Sequence, residues 1–142
     1  VPKFGIISEQ NLSTCHPKLQ ELFREVIKYV DCRVICGHRG EAEQNAAFEA
    51  HRSMVRFPNS KHNSTPSMAI DVVPYPVEWE KENMNKVVYG KTLGRLYFFV
   101  GYVRATADRL GVKVRCGADW DGDFNLKDQT FDDLPHVELV ED

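Results

Sequence analysis

The strongest constraint in this chain is an acid placed inside an apolar run. Asp71 sits in Ala69-Ile70-Asp71-Val72-Val73, and the stretch from Met68 to Val73 reads as a strand stopped by Pro74 and Pro76. An ionised carboxylate in such a run is costly to bury without a cation beside it. His62 stands nine residues earlier, in Ser60-Lys61-His62. His136 lies far downstream, in Asp133-Leu134-Pro135-His136-Val137-Glu138. Two imidazoles and a carboxylate can hold a catalytic zinc ion, with the fourth position open for water and a nearby acid to take that water's proton. The competing reading is an Asp71 held only by backbone amides, with no metal.

Size and charge narrow the remaining classes. A chain of 142 residues is expected to be a single domain, residues 1–142, with one ordinary core. A net charge of -3 and the absence of a basic stripe argue against a nucleic-acid partner. The longest apolar segment, Leu96 to Val103, is too short to span a bilayer. The opening Val-Pro-Lys-Phe-Gly has no signal-peptide pattern, so synthesis in a cytosol is expected. Cys15, Cys32, Cys36 and Cys116 lack zinc-ribbon spacing and read as reduced, partly buried thiols.

Periodicity supplies the elements. Leu19, Leu22, Phe23, Val26, Ile27 and Val30 repeat at helical spacing, with Ser13 or Thr14 as cap and Pro17 in the first turn. Arg33–Cys36 reads as a strand. Glu41 to about Arg56 reads as a helix with Ala46, Ala47 and Phe48 inward. The longest amphipathic helix carries Leu93, Leu96, Val100, Val103, Ala107 and Leu110, with Thr92 as cap and Gly111 just past its end. Val112–Arg115 and Val137–Val140 read as strands, and the polar stretch from Glu78 to Lys91 is left without an element. Helices and strands mix without a βαβ rhythm. The fold class expected is therefore α+β, a small, largely antiparallel sheet packed with helices and carrying the zinc site. His62 then falls in a loop, Asp71 in a strand and His136 at a strand start, with Glu138 on the same strand face as His136.

The motifs Ser60-Lys61-His62, Ala69-Ile70-Asp71 and Asp133 three residues before His136 resemble those of zinc-dependent peptidoglycan peptidases. That family includes phage-type L-alanyl-D-glutamate endopeptidases and bacterial D-Ala-D-Ala carboxypeptidases. The resemblance runs from about Gly5 to Leu139. It includes Leu12–Gln20 as an opening helix, Cys36-Gly37-His38-Arg39-Gly40 with Gln44 as a Gly-x-Arg segment, and Gly117–Asp123 as a loop before the last ligand. The separation of His62 from Asp71 is longer than in many members and similar to a phage-like subgroup.

The resemblance implies one zinc ion on His62, Asp71 and His136, with Asp133, rather than its neighbour Asp132, as general base. It implies that Arg39 contacts the substrate carboxylate or the developing oxyanion, and that Ser60 supports the site. Glu138 is either a supporting residue or a solvated strand residue, and Asp121 joins it and Ser60 as a substrate-binding or supporting residue. The expected reaction is hydrolysis of an amide in the peptidoglycan stem peptide, favouring the L-Ala-D-Glu bond. A monomer is expected, made in the host cytoplasm and acting on the wall after the inner membrane opens. Two rivals are a D-Ala-D-Ala carboxypeptidase, disfavoured by Asp rather than Glu at position 133, and a non-catalytic zinc-containing domain that binds the cell wall or a partner.

Asp119-Trp120-Asp121-Gly122-Asp123-Phe124-Asn125 alternates oxygen ligands as a calcium loop does. Phe124 stands where the EF-hand pattern wants Gly, and the twelfth-position Glu is missing. Calcium is therefore not favoured there, and a polar wall of the cleft is expected.

Overall fold

The computed structural model describes residues 1–78 and 86–140, with residues 86–90 described by backbone alone. In chain order the elements are α1 (Ile6–Ser13), α2 (Pro17–Ile27), β1 (Cys32–Cys36), α3 (Glu41–Glu49), β2 (Ala69–Pro74), α4 (Lys86–Leu110), β3 (Val114–Cys116) and β4 (His136–Leu139). The strands pair antiparallel in the order β1-β2-β4-β3. This is the expected α+β architecture. No described helix is long and apolar enough to cross a membrane.

Helix boundaries depart from the periodicity where capping decides them. α2 does begin at Pro17, but its cap is His16, whose ring accepts from the Lys18 N–H at 3.1 Å. Ser13 and Thr14 instead close α1, donating back to the Gln10 and Asn11 carbonyls. α1 shows no apolar stripe because Ile6 and Ile7 are exposed and only Ser8 and Leu12 are buried.

α3 stops at Glu49, well short of Arg56. His51 takes a left-handed φ of 59°, and the Arg52 and His51 N–H groups bond back to Ala47 and Phe48. This paired closure satisfies the last carbonyls and ends the helix. Its buried residues are Gln44 and Ala47; Ala46 is exposed. α4 starts at Lys86, so Thr92 is a buried residue within it and not its cap. Its end agrees with expectation. Gly111 has φ +71°, and the N–H groups of Val112 and Gly111 return to Ala107 and Asp108. Residues 79–85 of the polar stretch lie outside the described residues.

One face of the sheet supplies Val34, Ile70, Val72, Val137 and Leu139 to the core, against Leu19, Leu22, Phe23 and Val26 of α2 and Phe99, Val103 and Ala107 of α4. Side chains alternate along strands, so the other face receives Asp71, His136 and Glu138. Register does the placing. Asp71 pairs directly with His136 across β2 and β4, and a bulge between Val34 and Cys36 brings Cys36 opposite Asp71. Cys15, Cys32 and Cys116 are free and buried, and burial holds their thiols up at about 11, 12 and 11.

Candidate active site

His62 lies in a 3-10 turn, Lys61–Asn63, on the site face. Ser60 caps this turn: its Oγ accepts the His62 N–H at 3.2 Å, while Asn63 Oδ1 accepts the Ser60 N–H at 3.0 Å. Ser60 therefore sets the turn that aims the ring.

Three donor atoms converge. His62 Nε2 is 3.3 Å from His136 Nδ1 and 3.3 Å from Asp71 Oδ1, and His136 Nδ1 is 3.4 Å from the same oxygen. Nitrogen and oxygen donors about 2.0–2.1 Å from one tetrahedral zinc ion stand about 3.3–3.4 Å apart. The triangle has that size. Its atoms are also the right ones. Gly37 O can only accept, so His62 Nδ1 at 2.7 Å must donate to it, which leaves Nε2 its lone pair. Likewise His136 Nε2 donates to Glu138 Oε1 at 2.8 Å, leaving Nδ1 facing the centre.

The electrostatics call for a cation. Asp71 is 8% exposed, and its Oδ1 has no hydrogen-bond donor among the described residues. Burial would raise the Asp71 pKa, but the imidazoles of His136 and His62 outweigh it and hold the carboxyl below the usual range. Burial would lower His62 and His136, yet the Asp71 carboxylate outweighs it and raises both. Positive charge thus gathers around Asp71 by protonation of the imidazoles, and a metal ion bound there would supply it by displacing those protons. Arg39 is a second source. Its Nη2 reaches Asp71 Oδ2 at 3.3 Å, a basic partner that sequence proximity did not reveal.

Cys36 Sγ also groups with His62 and Asp71, but it lies 3.9 Å from His62 Nδ1, the nitrogen committed to Gly37, and not at the Nε2 that faces the triangle. Asp133 Oδ2 is 3.9 Å from His136 Nδ1, farther than the triangle's edges. Burial, then the Asp71 charge, push Asp133 up to about 6 against the pull of His136, His62 and Arg39. Asp133 thus stands beside the centre, at the position from which a general base can reach a water there.

Asp133 and Arg39 both border two cavities, of about 480 and 360 Å³, that flank the centre. The first is walled by Leu93, Leu96, Leu134 and Pro135, and the second by Trp120, Lys61 and Arg115. Asp132 borders the first cavity and accepts from Gln129 at 2.6 Å. Glu138 is buried and bonded to His136 and Arg115, so the solvated reading is corrected. Asp121 is exposed and lines neither cavity.

Several residues that the sequence placed only within matching segments gain definite contacts here. Gln44, fully buried, accepts from Arg39 at 3.1 Å and donates to Ser53 and the Val55 carbonyl. Trp120 leans on the His136 ring at 5.3 Å and stacks on Phe131. Two glycines allow close approach. A Cβ on Gly37 would sit 2.3 Å from Asn11 O, and one on Gly117 would sit 2.1 Å from Asp133 O. Both contacts are made to backbone oxygens, so residue types alone do not reveal them.

Asp119, Asp121 and Asp123 also converge, with ligand atoms within 4.8 Å of one another. Asp119 is 7% exposed and its Oδ1 has no hydrogen-bond partner among the described residues. Phe124 adopts φ 65°, the conformation for which an EF-type loop uses glycine. The objection to calcium based on Phe124 therefore falls.

Glu138 gives a pH prediction. Burial would raise it, but the bond to His136 and the Arg115 guanidinium hold it down at about 2, from an ordinary 4.5. A depressed carboxyl contributes stability above its unfolded pKa and loses it as pH falls through the folded value. In metal-free protein, Glu138→Gln should flatten the fall in stability between about pH 4.5 and 2. Urea midpoints that track the parent's across that window would contradict the assignment.

Comparison with known proteins identifies the family. A family model described as phage L-alanyl-D-glutamate peptidase matches residues 1–140. The L-alanyl-D-glutamate peptidase of Escherichia phage T5 is 30% identical over 144 residues, covering 97% of this chain and 98% of that protein. The crystal structure of the Serratia marcescens L-Ala D-Glu endopeptidase ChiX superposes with a TM-score of 0.70 at 27% identity, covering 97% of this chain and 90% of that one. The match over residues 1–140, with the 30% identity to the phage T5 enzyme, places the chain in the phage L-alanyl-D-glutamate peptidase family.

Proposed function

We propose that the chain is a zinc peptidase that hydrolyses the L-Ala-D-Glu amide of the peptidoglycan stem peptide. The observation that carries this is the triangle of His62 Nε2, Asp71 Oδ1 and His136 Nδ1 with Asp133 beside it, at the meeting of two cavities. The names of its relatives support the bond. His62, Asp71 and His136 would hold the ion. Zinc, when bound, supplies Lewis acidity to a carbonyl oxygen and makes water acidic enough to attack near neutral pH.

The remaining work falls to the chain. Asp133 takes the proton from the attacking water and returns it to the leaving amine. Arg39, held in plane by Gln44 and Asp71, presents its guanidinium to the oxygen on which negative charge develops. Gly37 and Glu138 keep each imidazole in the tautomer that faces the centre. Trp120, stacked on Phe131, packs against the His136 ring and helps to hold it in place. A monomer with one catalytic domain suffices for this chemistry. Made in a host cytoplasm, it would reach its substrate when the inner membrane opens.

Digestion of purified peptidoglycan, with mass spectrometry of the new termini, tests the reaction. The expected products carry new L-Ala carboxyl and D-Glu amino termini; release of terminal D-Ala would instead identify the carboxypeptidase rival. Asp133→Asn should retain the metal and lose about 10²-fold or more in turnover. Full activity in Asp133→Asn with a dead Asp132→Asn would move the role to the neighbouring acid.

The acidic loop has the donors of a second, oxygen-only cation site, and the buried Oδ1 of Asp119 supports calcium there. Calcium titration should show saturable binding that Asp121→Asn with Asp123→Asn abolishes. No binding heat in the parent protein would return the loop to a plain polar turn.

A further inference from the structure

Four long cationic side chains border the cavity on the His136 side. Three are engaged. Arg39 is held by Asp71 and Gln44, Lys61 by Glu138 and the Leu139 carbonyl, and Arg115 by Glu138. The fourth is Arg52. It is exposed, borders both cavities, and among the described residues its guanidinium has no carboxylate or carbonyl partner.

The backbone beneath it is nonetheless fixed. Arg52 N–H closes α3 on the Ala47 carbonyl at 2.9 Å, with His51 left-handed before it. Ser53, the next residue, accepts from Gln44 at 2.9 Å. The same Gln44 amide accepts from Arg39 at 3.1 Å and from Asn63, next to His62, at 3.2 Å. One buried side chain therefore ties the segment carrying Arg52 to Arg39 and to the turn carrying His62. An arginine so placed, with its planar donors free, is arranged to receive an anion in the cleft.

The substrate class supplies one. A glutamyl residue bears two carboxyl groups, and a linear stem needs only one of them to continue. The other remains a carboxylate on the residue just past the scissile amide. We propose that Arg52 binds this free carboxylate of the D-glutamyl residue, selecting stems that carry the acid over stems in which it is a carboxamide. This rests on the L-Ala-D-Glu reading above. Arg39 is assigned above to the oxygen on which charge develops, which leaves Arg52 as the cleft arginine for a second anion.

The test uses two synthetic stem peptides that differ only in carboxylate or carboxamide at that position. They are cleaved by the parent protein, Arg52→Gln and Arg52→Lys, with melting curves confirming that each variant is folded. The parent should favour the carboxylate peptide by about tenfold to a hundredfold in kcat/KM, the scale of a charge-assisted pair. Arg52→Gln should lose that preference, mainly through KM, and Arg52→Lys should recover part of it. A preference retained in Arg52→Gln overturns the proposal, as does a parent protein that cuts both peptides equally at the L-Ala-D-Glu bond. A parent protein that cuts neither peptide at that bond overturns the reading of the reaction and the proposal with it.

Discussion

The structure turns on one buried carboxylate. Asp71 lies in the middle of β2, flanked by strands on both sides, where an uncompensated negative charge is expensive. Three neighbours answer that cost. His136 is its direct cross-strand partner, His62 is aimed at the same oxygen by a capped turn, and Arg39 takes the other oxygen. Removing one partner from such a buried cluster is more damaging than its net contribution suggests, because the remaining charge stays buried.

The surrounding groups read as devices for holding that cluster still. Gly37 lacks a Cβ, so β1's exit can press on α1 while its carbonyl reaches His62. Gly117 lets Asp133 itself lie against the end of β3, and the Gly117 N–H bonds to the His136 carbonyl. Glu138 faces His136 from the same strand and is itself tied to Lys61 and Arg115. A site whose orienting groups are themselves fixed by packing and hydrogen bonds loses little by reorganising during a reaction.

Much of this was legible before any coordinates. The strand around Asp71 showed as an apolar run, and Gly111 marked the end of α4 because only a left-handed residue closes that helix comfortably. The grouping of His62, Asp71 and His136 followed from residue type and family spacing. What was hidden depended on three-dimensional context. The α1 helix has no apolar stripe to read, and α3 is ended by a left-handed His51, a residue with no strong stop signal. The Arg39–Asp71 pair and the Gln44 network join segments distant in sequence, and the Phe124 φ shows a side chain accepting a conformation that sequence rules reserve for glycine.

The central claim is that the triangle of His62, Asp71 and His136 is a zinc site. Metal analysis of the purified parent protein, His62→Ala and His136→Ala tests it most directly. The account predicts about one zinc ion per chain in the parent protein and loss of the ion in each variant, since three protein ligands leave no redundancy. Full zinc content in both variants would contradict it.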